Sequence, residues 1–159
     1  MSTRIETRTA EVVVTPTLDT SAYASGDRLG SIQTLDNACA EIGRGSTLLT
    51  VTILDKSKTK QAMTLLFFNA LPTVASADNA AISITDAEME KCVGAVAVAA
   101  ADYAETAGNA IATLRASQVG VLMHSRTALG KLYVVPVIGG AATYGASDLI
   151  FTYKFVQDA

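Results

Sequence analysis

The feature that most constrains the fold of this chain is the recurrence of short β-rich segments, each either wholly apolar or alternating between apolar and polar residues. Eight such segments cover residues 5–14, 28–35, 47–55, 61–69, 93–98, 119–123, 131–139 and 148–156. Strands that follow one another through turns favour an antiparallel sandwich or barrel over alternating βαβ units. We therefore expect an all-β protein, an antiparallel sandwich or barrel of about eight strands with one short helix.

The last segment, "DLIFTYKFV" at 148–156, shows the alternation most clearly. Leu149, Phe151, Tyr153 and Phe155 fall on one side, and the residues between them on the other. One apolar and one mixed face are typical of a half-buried antiparallel strand.

The connections between strands give local predictions. "LDKSKTKQ" is predicted to join its two strands as a hairpin, and "GGAATYGASD" to join the last two strands as a Gly-rich loop. Pro136, inside "YVVPVI", has no N–H to donate to a strand ladder. It is therefore expected on an edge strand or at a bulge.

One polar insertion, "DNAAISITDAEMEK", predicts the helix. Thr85 suits the N-cap and Glu88 the reciprocal position of a capping box, so we expect about two turns beginning there. Ile84, Met89 and Val93 would hold this helix against the sandwich. A calcium loop is not supported, because Ala and Ile occupy positions where oxygen ligands should alternate.

Length and composition indicate one domain with apolar surface to spare. The 159 residues are assigned as an N-terminal arm or first strand, 1–19, and a single sandwich domain, 20–159. Hydrophobic residues make up 50% of the chain and charged residues only 17%, and mean hydropathy is +0.33. Some of this apolar excess is expected to be covered by a partner.

Charge and cysteine content exclude several classes of function. The net charge is −3 without a cationic stripe, so nucleic acid is not an expected partner. Cys39 and Cys92 lack zinc-site spacing and are expected as buried free thiols, with a disulfide as the alternative. The start lacks a secretory signal and "VGAVAVAAA" is too short to span a bilayer, so we expect synthesis in the cytoplasm and no membrane association.

No catalytic constellation is evident, and we predict neither catalytic residues nor a cofactor or metal. His124 could in principle join Ser125 or Ser147 with Asp148, but no nucleophile-elbow sequence places them together. "GRGST" lacks the lysine and the glycine spacing of a phosphate loop. Tyr23 and Tyr144 are the candidate platforms for stacking on a sugar.

Four stretches carry a family resemblance. They are "SAYASGDRLG", "LLTVTILDKSKTKQAMTLLFFNALPT", "DNAAISITDAEMEKCVGAVAVAAADY" and "LYVVPVIGGAATYGASDLIFTYKFVQD". In this order, across roughly residues 20–158, they resemble small structural proteins encoded near the head genes of tailed bacteriophages, described as capsid decoration, cement or stabilisation proteins. The resemblance implies a jelly-roll-like sandwich that oligomerises, a trimer being favoured over a dimer. It also implies a place on the outer surface of the virion capsid, with the major capsid protein as partner and no catalysis.

Two other classes of function remain as alternatives. A jelly-roll glycan-binding or host-binding module of a phage particle would need an exposed aromatic surface. A small hydrolase would need a nucleophile, a base and an orienting residue brought together. Candidate subunit or capsid contacts are Arg4, Arg8, Val12, Val13, Val14, Tyr23 and Tyr144.

The N-terminal segment "RIETRTAEVVV" has two interpretations. Its first half is polar on both faces, whereas its three valines have high β propensity. It could add as a strand to a neighbouring subunit or to the capsid, with Arg4 and Arg8 meeting an acidic surface. It could equally be an ordinary first strand with a frayed end.

Overall fold

The computed structural model describes residues 8–40, 44–120, 122–127 and 129–157. Within them lie ten strands, two single-turn α-helices and one 3₁₀ turn, Ala100–Asp102. The strands are β1 Arg8–Val14, β2 Gln33–Leu35, β3 Gly45–Asp55, β4 Met63–Phe68, β5 Cys92–Val98, β6 Tyr103–Glu105, β7 Ala110–Leu114, β8 Leu122–His124, β9 Leu132–Ile138 and β10 Leu149–Gln157. The helices are α1 Asp86–Met89 and α2 Ala116–Val119.

The strands form two antiparallel sheets. Sheet I has the order β1-β10-β3-β7-β6, and β8 also pairs with β3. Sheet II has the order β2-β9-β4-β5. The chain crosses repeatedly between the sheets, and its first and last strands are neighbours, which is the interlaced arrangement of a jelly roll. The predicted all-β jelly-roll class is confirmed by this strand order.

The main core lies between the two sheets. Leu149, Phe151, Tyr153 and Phe155 of β10 are fully buried there, as their alternation predicts. The ring of Phe67, from sheet II, meets the Tyr153 ring edge to face at 5.9 Å between centroids. Aromatic contacts of this kind add about 0.5–1.5 kcal/mol to the free energy gained from burial.

The predicted hairpin at "LDKSKTKQ" is wrong. β3 and β4 lie in different sheets, and residues 56–62 cross between them. Asp55 is fully buried and organises this crossing, because its carboxylate accepts hydrogen bonds from the backbone N–H of Ser57 at 2.9 Å and of Lys60 at 2.8 Å. The Gly-rich loop does join the last two strands, β9 and β10, but these also belong to different sheets.

The side chains of β4 explain why this strand belongs to sheet II and does not pair with β3 in sheet I. Leu65 and Phe67 enter the main core, whereas Leu66 and Phe68 belong to a second apolar cluster on the other face of sheet II. A strand with apolar residues on both faces is stable only where both faces are covered. In this molecule that place is sheet II, because the segment 69–91 packs over its outer face.

The predicted position of Pro136 is also wrong, since β9 lies between β2 and β4. The Pro136 carbonyl accepts a hydrogen bond from the Leu29 N–H at 2.9 Å, on the side away from β4. The missing N–H of the proline points to that same side, beyond the end of the short strand β2. The ladder between β4 and β9 therefore loses no bond.

Two differences concern element number. β6 and β7 form a hairpin that the eight predicted segments omit, and the segment 119–123 begins with the end of α2 before β8 starts. The predicted helix is one turn long rather than two. Thr85 is its N-cap, but the Glu88 carboxylate bonds Thr73 and Lys91 and not the cap backbone, so only half of the capping box forms.

Candidate interaction surfaces

The N-terminal contact candidates lie on an edge strand of sheet I. β1 pairs with β10 along its whole length, from Arg8 opposite Gln157 to Val14 opposite Phe151. Residues 8–14 are thus a first strand of this chain's own sheet, and no described strand pairs with its other edge. Arg4 and the proposed strand addition by the segment before Arg8 lie outside the described residues.

The three valines of β1 differ in exposure. Val12 and Val14 are half-buried against the main core, whereas Val13 points outward and is 57% exposed. Arg8 is exposed as well. Arg8 and Val13 are therefore the two described β1 candidates that a partner could reach.

Tyr23 and Tyr144 are not available to a partner, because each is only 2% exposed. Their rings meet edge to face at 6.2 Å. Burial raises the pKa of Tyr144 to about 12, and burial together with the neighbouring Asp78 raises the pKa of Tyr23. The stacking platforms expected from the sequence are internal packing groups.

Asp78 joins two loops around Tyr23. Its carboxylate accepts hydrogen bonds from the Tyr23 hydroxyl at 2.8 Å, the Gly30 N–H at 2.7 Å and the Asp19 N–H at 2.8 Å. These bonds connect the 15–32 loop to the segment 69–91. The polar insertion predicted from the sequence thus serves as a structural connector.

The groups considered for hydrolysis have other partners. The buried Ser125 hydroxyl donates to the Lys131 carbonyl at 2.8 Å, and the Asp148 carboxylate accepts from the Gly145 N–H at 2.6 Å. His124 is exposed at the end of β8. No hydrogen bond links His124, Ser125 and Asp148 within the described part of the chain. Cys39 is a buried free thiol, as predicted, whereas Cys92 is free but only half-buried.

Among the described residues, no group of three or more His, Cys, Asp or Glu side chains could hold a metal ion. In the same part of the chain, no helix has the length and apolar character needed to cross a bilayer.

The outer face of sheet I has no described segment packed over it, and we call it the bare face. Two rows of outward residues cross it: Val13, Thr152, Thr52 and Thr113 in one, and Ile150, Leu54, Ile111 and Ala104 in the other. Neither row contains a charge. Beside them, Glu11 and Lys154 neutralise each other at 3.1 Å. A flat, charge-poor strand surface of this kind is typical of a protein contact.

A shallow groove of about 300 Å³ crosses the bare face near the β10 bulge, where Leu49 is 38% exposed. It is lined by Thr9, Ala10, Glu11, Leu49, Lys154 and Phe155. These residues contain one ion pair and little else that could orient a small polar ligand, so the groove is better suited to a side chain of a partner protein.

The outer face of sheet II is covered by the chain itself. Phe68, Tyr133 and Val135 form a second apolar cluster there, and Val74, Ile82 and Ile84 of the 69–91 segment pack against it. The two faces of the sandwich are therefore unequal: among the described residues, a chain segment covers the outer face of sheet II and none covers that of sheet I.

A second exposed apolar region lies at one end of the sandwich, and we call it the end surface. It consists of Leu71, Met89 and Leu129, which are 57%, 37% and 66% exposed, together with the exposed Arg126. The expectation that Met89 would pack against the sandwich is therefore wrong, and the sequence analysis did not single out the other three residues. The available signal was an isolated leucine within a predicted turn, as in "TALGK", where a polar residue is usual.

Comparison with known proteins gives structural likeness alone. No family model and no curated protein matches this sequence. The solved structure of tomato aspermy virus matches at 12% identity and a TM-score of 0.41, covering 98% of this chain and 79% of that chain. The structure of turnip yellow mosaic virus matches at 10% identity and a TM-score of 0.35, covering 100% and 84%. At these TM-scores the likenesses carry no argument about what this chain does.

Proposed function

We propose that this protein is a structural virion component that binds the outside of a phage capsid and stabilises it. The observation that carries the proposal is the outer face of sheet I, which no described segment covers and which has few charges. The jelly-roll fold is also the one that the sequence resemblance implies. A decoration protein needs rigid surfaces for its own copies and for the shell. The bare face and the end surface are two separate regions of this kind.

Self-association belongs to the same proposal. Val13 on the edge strand β1 and Ile111 on β7, the last strand but one, would pack against another copy of the chain, with Arg8 at the rim. Homo-oligomers cover apolar surface by closed symmetric contacts. A trimer is favoured over a dimer, and the partner on the particle is the major capsid protein.

The glycan-binding alternative has less support. It rested on Tyr23 and Tyr144 as stacking platforms, and both rings are packed inside the molecule. A sugar-binding site would have to use another surface that offers no exposed Trp, because the chain has none.

The experiment that tests the proposal uses shells of the source particle prepared without this protein. Purified protein should cosediment with these shells and raise the temperature at which they rupture. Electron cryomicroscopy should then show added density on the outer surface. An absence of binding at micromolar protein, with the protein folded as judged by its melting transition, would refute a decoration role.

A further inference from the structure

β1 is the longest of the described edge strands of sheet I. It has seven residues and pairs with β10 along one edge, whereas β6, at the other end of the sheet, has three residues. About half of the backbone N–H and C=O groups of an edge strand point away from its sheet. β1 therefore presents hydrogen-bonding groups along an edge that no described strand covers.

β1 has few of the features that prevent edge strands from pairing with other chains. Those features are prolines, lysines, β-bulges and charged side chains that point inward. The register of β1 against β10 is continuous, and its sequence, RTAEVVV, has neither proline nor lysine. Glu11 points outward, where Lys154 neutralises it at 3.1 Å, and Arg8 lies exposed at the end of the strand. The edge is thus open to a further strand.

The inward side chains of β1 are apolar and incompletely covered. Ala10, Val12 and Val14 pack against the main core, but each is only half-buried, at an edge beyond which no described strand lies. A second strand with apolar inward residues would extend the core and remove this area from water. The occupant should therefore carry aliphatic side chains at alternate positions.

β1 of a second copy meets this requirement in an antiparallel pairing centred on Val12. A two-fold axis perpendicular to the sheet keeps the inner faces of both copies on the same side. Val12 then lies opposite Val12 of the second copy, and Ala10 lies opposite its Val14, so that every inward pair is apolar. On the outer face, Val13 lies opposite Glu11 of the second copy, and no two like charges are opposed.

The neighbouring two-fold registers are less favourable. A pairing centred on Glu11 would place two carboxylates directly opposite each other, which destabilises a strand pair. A pairing centred on Ala10 would place the charged Arg8 opposite Val12 on the inward side. The sequence of β1 therefore selects the register centred on Val12.

We propose that β1 pairs with β1 of a second copy of this chain, antiparallel and centred on Val12, so that two copies of sheet I form one continuous sheet. The inference rests on the self-association in the proposed function and gives it a defined contact. Because the pairing joins copies two at a time, it makes a dimer by itself, and a hexamer if the bare face also closes a trimer.

Disulfide trapping tests both the pairing and its register. Val12→Cys, in a Cys92→Ser background that leaves only the buried native Cys39, should give a covalent dimer on oxidation. Residues directly opposite each other have Cβ atoms about 4.5–5.5 Å apart, near the range of a disulfide. Val14→Cys in the same background is the matched control. It should give no covalent dimer, because the two positions would be about 13 Å apart along the strands. Adding Ala10→Cys to Val14→Cys should restore the covalent dimer.

A charge at the centre of the pairing should separate the copies. Val12→Lys would place two ammonium groups opposite each other, while the lysine stem still covers the core of its own chain. Light scattering at micromolar concentration should give half of the wild-type mass. Ala97→Lys, at an exposed position of β5, is the control with the same charge and should keep the wild-type mass. Melting transitions verify that both variants fold.

The other outcomes separate this contact from the proposed function. A wild-type monomer that Val12→Cys does not trap would refute both the proposed self-association and the pairing. An oligomer that Val12→Cys does not cross-link would keep self-association and overturn the pairing, and cover of the edge by residues 1–7 of the same chain would give this result. Equal cross-linking by Val12→Cys and Val14→Cys would overturn the register. Binding to capsid shells is measured separately by cosedimentation.

Discussion

At the scale of single residues, one buried hydrogen bond ties the two sheets together. The Tyr153 hydroxyl of β10 donates to the Gln33 side-chain carbonyl of β2 at 2.6 Å, and both side chains are buried. A polar contact inside an apolar core fixes which side chains face each other. It also makes the loss of either partner costly.

Tyr153→Phe should lower the free energy of unfolding by about 1–3 kcal/mol, because the Gln33 oxygen would be left buried without a donor. Urea denaturation monitored by circular dichroism measures this difference. Tyr103→Phe is the matched control, since the buried Tyr103 hydroxyl has no hydrogen-bond partner among the described residues. Removing the Tyr103 hydroxyl should leave the free energy of unfolding unchanged or raise it. Equal destabilisation by both substitutions would contradict the importance of the inter-sheet bond.

Asp78 gives a second prediction at this scale. Asp78→Asn should cost about 1–3 kcal/mol, because an amide group would face a hydrogen-bond donor in place of a carboxylate oxygen. The loss should appear in the melting temperature and in faster proteolysis of the 15–32 loop. Asp86→Asn, in the first turn of α1, serves as the control with the same chemical change. An unchanged protease pattern in Asp78→Asn would show that the loop is held by other contacts.

Residue-scale predictions from the sequence succeed where one physical effect dominates. The inward face of β10 follows from alternation alone, and burial of Phe151 and Phe155 confirms it. Tyr23 and Tyr144 were placed on the surface because loops are usually exposed. Their burial depends on packing against each other and, for Tyr23, on Asp78, which is 55 positions away in the sequence. No local pattern contains that information.

At the scale of elements, local sequence predicted where strands lie better than which strands pair. Each of the eight predicted segments contains a strand or part of one. The hairpin predicted at "LDKSKTKQ" was wrong because two strands joined by a short polar loop have the same local sequence pattern whether they pair with each other or lie in different sheets. The β6–β7 hairpin was missed because its inward residues include Ala110 and Ala112, which give little apolar contrast.

The short helix α1 carries a pH-dependent contact. The pKa of Glu88 is lowered from its ordinary 4.5, chiefly by the hydrogen bond from Lys91 and then by that from the Thr73 N–H. Since the ionised form is the one favoured by folding, its contribution is present above the ordinary pKa and is lost as pH falls through the lowered value.

Glu88→Gln should therefore have a lower melting temperature than wild type at neutral pH. This difference in melting temperature should disappear as pH falls below 4.5. Thermal scans from neutral pH to about pH 3 measure it. Glu90→Gln, at the C-cap of the same helix, is the matched control with the same chemical change. A gap that stays constant through the acid range would mean that the Glu88 carboxylate does not act through its charge.

The N-terminal strand supports a separate prediction about the segment before it. Deleting residues 1–7 leaves the whole of β1 to pair with β10, so the melting temperature should stay unchanged. If the segment adds to a neighbouring subunit or to the shell, the truncated protein should assemble or attach more weakly. Cosedimentation and light scattering measure both properties. Normal assembly and attachment would leave the segment with no role in either.

At the scale of the whole molecule, the two uncovered regions predict association. The chain should be an oligomer in solution, with a trimer favoured over a dimer. Val13→Glu combined with Ile111→Glu should convert it to monomers, because two charges would be buried in the subunit contact. Light scattering at micromolar concentration reports the mass. Ala97→Glu, at an exposed position of β5, is the control.

A stable wild-type monomer in the absence of shells would argue against this use of the bare face. The sequence predicted an apolar excess but not its location, because composition does not report which residues fold to the surface. The structure locates exposed aliphatic side chains on the bare face and on the end surface.

The pairing of β1 with β10 also affects how the chain can be made. Because Arg8 lies opposite Gln157, β1 cannot complete its pairing with β10 until the chain has been synthesised through Gln157 and that strand has left the ribosome. Until then, β1 lacks its partner strand β10, and its valines are open to pairing with another nascent copy. Contacts so distant in sequence slow folding to milliseconds or longer. Rapid initiation on one message would therefore raise the risk of misassembly between neighbouring chains, and slower translation should improve the yield of folded protein.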